Sequence, residues 1–204
     1  MSSRIPFTVE DERRVLSAIA TFPARDRCAI ILGINTGFRA SELASIKIGQ
    51  IWDGTQVRQE ITVSRRNLKN GRGLRRRSVR SRTLPLNAAA RAALTEYLHE
   101  RQIQRGQLGP LEALFRSMRT GRGLSRWRLN AIVHQVARAA GLSQDGRYGT
   151  HTLRKTFCRR VHEVLGRDIN LTRQAMGHRY VTTTQAYLEP DPAAVRSAIL
   201  SIGS

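Results

Sequence analysis

Acidic residues are scarce in this chain: 15 Asp and Glu stand against 35 Lys and Arg in 204 residues, a formal net charge of +20. A surface with so few counter-charges repels itself, which calls for an anionic partner. Cysteine is scarcer still. Cys28 and Cys158 are the only two, and neither sits in a CxxC or a Cys/His cluster. That excludes a disulfide framework and a cysteine-held zinc site, and both thiols read as small buried hydrophobes in a reducing compartment. The apolar run at 30–34 is far too short to span a bilayer, and the N-terminus resembles no signal peptide. The expected address is therefore the cytoplasm, with no membrane partner. No glycine loop of the kind that cradles nucleotide phosphates occurs, no acidic metal cluster is visible, and neither internal repeats nor low-complexity linkers appear.

What is present is a globular composition, 40% hydrophobic, in a length that suits one domain with a real core. Nucleic acid is the commonest anion for a domain this basic, through neutralised phosphates and released counterions. The basic residues spread over many segments, which disfavours a membrane surface. Thr8 and Asp11 predict a capped first helix with Val15, Leu16 and Ile19 on its apolar face. A second helix is expected from about Arg25 to Asn35, stopped by Thr36-Gly37, and a short third begins at Ala40. From Ile48 the period changes: Ile51-Trp52 and Val57–Val63 read as short strands around Asp53-Gly54, and 82–86 reads as a return strand. Asn87 caps a long helix to about Arg105. Residues 111–115 suit a helix or a strand, and Ser125–Ala140 is a helix ended by Gly141. Trp127 and Val136 are expected in its core face. After Thr150 the chain is helical, pausing at 166–168, 177–178 and 190–192, and 192–202 forms a small amphipathic helix. The expected fold is α+β, mainly helical, with a small antiparallel sheet.

Residues 65–82 carry nine basic side chains and no acid. Arg65, Arg66, Arg72, Arg75, Arg76, Arg77 and Arg80 therefore read as a phosphate-facing arm. Three further motifs carry chemistry. Thr36-Gly37-Phe38-Arg39-Ala40-Ser41-Glu42-Leu43 sets an arginine just after a helix stop. In His151-Thr152-Leu153-Arg154 a histidine and an arginine sit three apart, on one helix face and within reach of one ligand. Met176-Gly177-His178 is followed, nine residues after the histidine, by Tyr187. A phenol, with a free pKa of about 10, becomes a nucleophile when a base takes its proton and cations hold the electrophile.

These three boxes, in this order and spacing, resemble the tyrosine recombinases, also called the phage integrase family. Their patterns TGxRxSEL, HxLRHTF and LGHxxxxTTxxY are matched over residues 36–43, 151–157 and 176–187, with Lys155 in place of a usual histidine. The resemblance implies a family catalytic domain over residues 1–204, without the separate core-binding domain most members carry before the arginine box. Two explanations stay open: a catalytic-domain fragment, or a naturally minimal recombinase, since in size and in the GFRASE sequence the chain is similar to the minimal recombinases of fimbrial inversion. The family's chemistry implies Tyr187 as nucleophile, giving a 3′-phosphotyrosyl intermediate. It assigns Arg39 and Arg154 to the phosphate oxygens, His151 to proton transfer, and His178 to a hydrogen bond with the phosphate. The leaving 5′-oxygen takes its proton from a hairpin lysine, here Lys69, with Lys47 as rival. No metal, nucleotide or other cofactor is implied. Expected partners are double-stranded DNA, three further copies in a homo-tetramer on two DNA sites, and accessory DNA-bending proteins, at the nucleoid. Strand relaxation in the manner of a type IB topoisomerase and catalytically silent DNA binding remain the alternatives.

Overall fold

A computed structural model describes residues 4–63, 81–142, 145–188 and 192–202 of the chain. Twelve elements follow in order among them: α1 (Val9–Ile19), α2 (Ala24–Thr36), α3 (Ala40–Ser45), α4 (Ile48–Ile51), β1 (Glu60–Val63), β2 (Arg82–Pro85), α5 (Ala88–Arg105), α6 (Arg126–Ala139), α7 (Thr150–Val164), α8 (Ile169–Met176), α9 (Val181–Gln185) and α10 (Pro192–Leu200). They divide into two compact units, residues 1–157 and 158–204.

The first unit holds the large hydrophobic core. Phe7, Cys28, Leu32, Phe38, Ile51, Ile61, Leu94, Phe115 and Ile132 are all essentially buried in it. The α1 cap is reciprocal, with the Thr8 hydroxyl accepting from Asp11 N and the Asp11 carboxylate accepting from Thr8 N. Of the expected α1 face, Val15 and Ile19 are buried, but Leu16 points out at 46% exposure. Strands β1 and β2 pair antiparallel, Ile61 opposite Leu84 and Val63 opposite Arg82. This is the small sheet expected, with Pro85 closing its short return strand.

Three expectations change. Ile51 does not open a strand. Gln50 caps the Lys47 N–H, and Ile48 and Ile51, three apart, both bury on one face of the single-turn helix α4. Trp52 and Val57 then meet in one isolated bridge over a turn in which the Asp53 carboxylate accepts from the N–H groups of Thr55 and Gln56. Trp127 is not core. It stands 72% exposed beside the Arg126 guanidinium, because the buried face of α6 is Leu129, Ile132, Val133 and Val136 and Trp127 lies off it. Residues 111–115 form neither the helix nor the strand that suited them: they are turn and bend around one isolated bridge between Ala113 and Lys47, with Ile48 N donating to Glu112 O and Leu114 N to Ile46 O.

Helices α2 and α7 approach more closely than side chains ordinarily allow. A Cβ on Gly33 would lie 2.6 Å from Leu153, and one on Gly37 would lie 2.4 Å from the Phe157 ring. Gly37 is also left-handed, φ +60°, where it ends α2. Gly37→Ala therefore meets both a backbone cost of roughly 1–2 kcal/mol and an overpacking cost of about 1–3 kcal/mol. Urea unfolding should show a loss in that summed range with the denaturant slope unchanged. A variant as stable as the parent would mean that α2 and α7 can part without loss.

In the second unit, Asp168 caps α8 by accepting from Asn170 N and Leu171 N, and Gly177 ends it at φ +63°. Cys158, Thr172, Met176, His178 and Thr184 are buried there. On and just after α10, Val195, Ile199, Leu200 and Ile202 are exposed. Both cysteines are buried free thiols, and burial pushes the Cys28 thiol up. Among the described residues no helix is long and apolar enough to cross a membrane.

Candidate active site

The residues singled out by sequence divide between the units. Arg39, His151 and Arg154 belong to the first; His178 and Tyr187 belong to the second. Lys69 and the arm arginines Arg65, Arg66, Arg72, Arg75, Arg76, Arg77 and Arg80 lie outside the described residues.

In the first unit, the left-handed turn at Gly37 reverses the chain after α2. The buried Phe38 anchors it, and Arg39 is set at the N-cap of α3. Glu42, fully buried one turn on, accepts from the Arg39 backbone N–H and from its guanidinium, each at 2.8 Å. The guanidinium is thereby fixed while remaining 26% exposed. A buried carboxylate with a firmly held cation positions that cation without cancelling it. Arg154, on the first turns of α7, is 1% exposed, and its guanidinium donates to the Gly37 carbonyl. The arginine box and the HxLR box are thus joined at one backbone carbonyl, across 117 residues of chain.

Arg82 belongs to the same cluster. Burial lowers its pKa to about 10, and the charges of Arg154 and Arg39 push it the same way while Glu42 opposes them. Three arginines against one buried carboxylate leave a net positive cluster suited to a phosphate. From its sequence position Arg82 is expected at the start of a return strand and as the last of the nine basic residues at 65–82, not beside Arg39 and Arg154. Its opening position on β2, next to the basic arm, was the available signal. Burial alone does not mark a site arginine: Arg101, 5% exposed, is occupied by the carbonyls of Ala113 and Leu114 and the carboxylate of Glu112.

His151 opens α7 and is exposed, three residues before Arg154. Partial desolvation of its ring lowers its pKa below the ordinary 6.5, and the cations Arg154, Arg39, Arg4 and Lys155 add to that. The neutral imidazole, the form that can accept a proton, is favoured. At pH 6.5 an ordinary histidine is half protonated, whereas His151 is mostly neutral. A reaction using it as base should therefore keep more than half of its plateau rate at that pH, with the acid limb below it. A limb already complete above 6.5 and absent in His151→Asn would contradict the shift.

In the second unit, His178 follows the αL cap of α8; its N–H bonds Arg173 O, and the Arg173 guanidinium returns a bond to His178 O at 3.2 Å. The ring is 5% exposed, with Nδ1 3.0 Å from the buried Thr184 hydroxyl. Tyr187, half-buried just past α9, lies with its ring centroid 5.2 Å from that of His178 at 45°. The histidine and the phenol of the third box are therefore neighbours, as their spacing required. Tyr180 is 59% exposed beside Arg179. Lys47 is exposed at the start of α4.

Comparison with known proteins gives a consistent picture. A family model described as the phage integrase family matches residues 7–193. Tyrosine recombinase XerC of Roseiflexus sp. (strain RS-1) is 32% identical over 180 residues, covering 87% of this chain and 51% of that protein. XerC of Caldanaerobacter subterraneus subsp. tengcongensis is 30% identical, covering 96% and 50%. This chain thus spans about half the length of those relatives. Among solved structures, XerA recombinase matches with a TM-score of 0.74 at 21% identity, over 100% of this chain and 65% of that one. XerH site-specific recombinase bound to difH substrate, a pre-cleavage complex, matches with a TM-score of 0.66 at 25% identity, over 99% and 56%.

Proposed function

We propose, from the premise that this chain belongs to the phage integrase family, that it is the catalytic domain of a site-specific recombinase cutting and rejoining DNA through a phosphotyrosine. The Tyr187 oxygen attacks the scissile phosphorus in line, and the bond to the 5′-oxygen breaks. The 3′-phosphate is left on the tyrosine beside a free 5′-hydroxyl. The phenol proton passes to His151, and Lys69 supplies a proton to the leaving oxygen. Charge gathering on the non-bridging oxygens meets Arg39, Arg154 and a hydrogen bond from His178. The phosphotyrosyl bond retains the energy of the original linkage, so religation to another strand needs no nucleotide, and arginines do the electrostatic work a metal would otherwise do.

One observation carries this reading: Arg39 held by buried Glu42 and Arg154 held by the Gly37 carbonyl are two arginines fixed before any ligand arrives. Such preorganisation costs nothing at the moment of reaction. The partners are double-stranded DNA, gripped partly by the basic arm, accessory DNA-bending proteins at the nucleoid, and other copies of this chain in a homo-tetramer. The exposed Val195, Ile199 and Leu200 of α10 give a neighbouring copy an apolar face to cover. Incubation with supercoiled plasmid DNA, stopped with SDS, should leave an adduct joining protein to a 3′-phosphate. Exchange between two duplexes separates recombination from strand relaxation. Salt-sensitive binding with no adduct would favour a silent binder.

A further inference from the structure

The second unit contains two histidines whose Nδ1 atoms each meet a threonine hydroxyl at nearly the same distance. His162 Nδ1 lies 2.9 Å from Thr172 Oγ1, and His178 Nδ1 lies 3.0 Å from Thr184 Oγ1. The two contacts are chemically opposite. Thr172 donates its hydroxyl proton to the Asp168 carbonyl at 2.6 Å. Its oxygen is then an acceptor only, and His162 must present a proton on Nδ1. Thr184 makes no such back-bond. It is fully buried, and among the described residues His178 Nδ1 is the one hydrogen-bond partner of its side chain. Were the ring to donate, the Thr184 O–H would be a buried donor with nothing to receive it. The hydroxyl therefore donates, Nδ1 accepts, and the neutral ring carries its proton on Nε2.

We propose that Thr184 is a positioning residue of the reaction: its buried hydroxyl fixes His178 as the Nε2–H tautomer, so that the ring turns a donor, not a lone pair, toward an anion. The consequence for chemistry rests on the proposed role of His178 at the phosphate. A non-bridging oxygen gathering charge can only accept hydrogen bonds. A ring held the other way round would present a lone pair and repel it. Protonating His178 is the other way to offer a donor there, and Thr184 removes the need for it, since the neutral ring already has one on the correct nitrogen. The hold also acts on ring orientation. Thr184 lies in the single-turn helix α9, three residues before Tyr187, and Tyr187 N donates to Thr184 O at 2.9 Å. One residue thereby ties the histidine's tautomer to the backbone that carries the phenol.

The tautomers can be read without any DNA. In uniformly ¹⁵N-labelled protein at about pH 8, well above the ordinary imidazole pKa, long-range proton–nitrogen spectra should show His178 protonated on Nε2. His162 should be protonated on Nδ1, an internal standard of opposite sense. A wild-type His178 with its proton on Nδ1 overturns the proposal. Thr184→Val keeps the side-chain shape without the hydroxyl and should give a mixed His178 tautomer, with His162 unchanged. Thr184→Ser should keep the Nε2–H form. An unchanged His178 signal in Thr184→Val also overturns it; should that variant fold poorly, the wild-type and serine spectra still decide. The rate of adduct formation on supercoiled plasmid DNA should fall about 10–100-fold in Thr184→Val, part of the roughly 10²–10³ lost with an anion-stabilising donor, at unchanged DNA affinity, and recover in Thr184→Ser. A mixed tautomer with an unaltered rate would sink the phosphate role of His178 while leaving the hold of Thr184 on the ring intact.

Discussion

Tyr187→Phe should bind DNA as the parent does and form no covalent adduct. The change removes one oxygen from a half-buried ring and keeps the ring that faces His178, 5.2 Å away, so the ring packing is retained. What goes is the atom proposed to bond phosphorus. Water cannot replace it in forming a protein–DNA linkage, so adduct formation should fall by on the order of 10⁴-fold or more, as when other enzymes lose their nucleophile. Tyr180→Phe is the matched control: it alters the other tyrosine of the same box, 59% exposed and stacked beside Arg179, and should leave the adduct unchanged. An SDS-resistant adduct persisting in Tyr187→Phe would move the nucleophile elsewhere and end the present assignment.

The second large effect belongs to Arg154. Its side chain is among the largest that are fully buried, and its guanidinium holds the Gly37 carbonyl. Arg154→Ala leaves a cavity and a buried carbonyl short of its donor, an expected loss of about 2–5 kcal/mol. Phosphate stabilisation should fall with it, lowering adduct formation by at least the roughly 10²–10³ that one lost donor costs. Arg154→Lys separates the two losses. An ammonium restores charge and part of the packing, but it cannot bond a carbonyl and a phosphate in the fixed fork of a guanidinium. Thermal unfolding should recover most of the way while the adduct rate stays more than about tenfold down. A lysine variant with parental rate would reduce Arg154 to a point charge.

The legibility of the site followed from how locally each box is built. The arginine box is a helix stop, a buried aromatic and a one-turn cap, all settled within eight residues, so Gly37, Arg39 and Glu42 could be read directly. The same holds for Gly177-His178 and Tyr187, joined by one short helix. Arg82 was not legible as a member because the strand pairing that brings it to Arg154 and Glu42 is decided by partners far away in sequence. The misjudged pieces had local causes instead. Ile48 and Ile51 fit a helix turn as well as a strand edge, and capping by Gln50 decided between them. Trp127 was expected inside because tryptophan usually is. Its phase on α6, off the stripe running from Leu129 to Val136, placed it outside.

The Gly37–Arg154 bond has a further consequence, in time. It joins residues 117 apart, and the Phe7 N–H closes a still longer loop by donating to the Thr156 hydroxyl, 149 residues on. Contacts of such sequence separation form late, because a long loop must close before they give anything back. A nascent chain still lacking α7 has the Gly37 carbonyl without the Arg154 guanidinium and the face of α2 at Gly33 and Gly37 uncovered. On the proposed function, the two arginines of the phosphate clamp come together only after α7 has left the ribosome, so a chain this basic would meet nucleic acid throughout its synthesis before it could cut it.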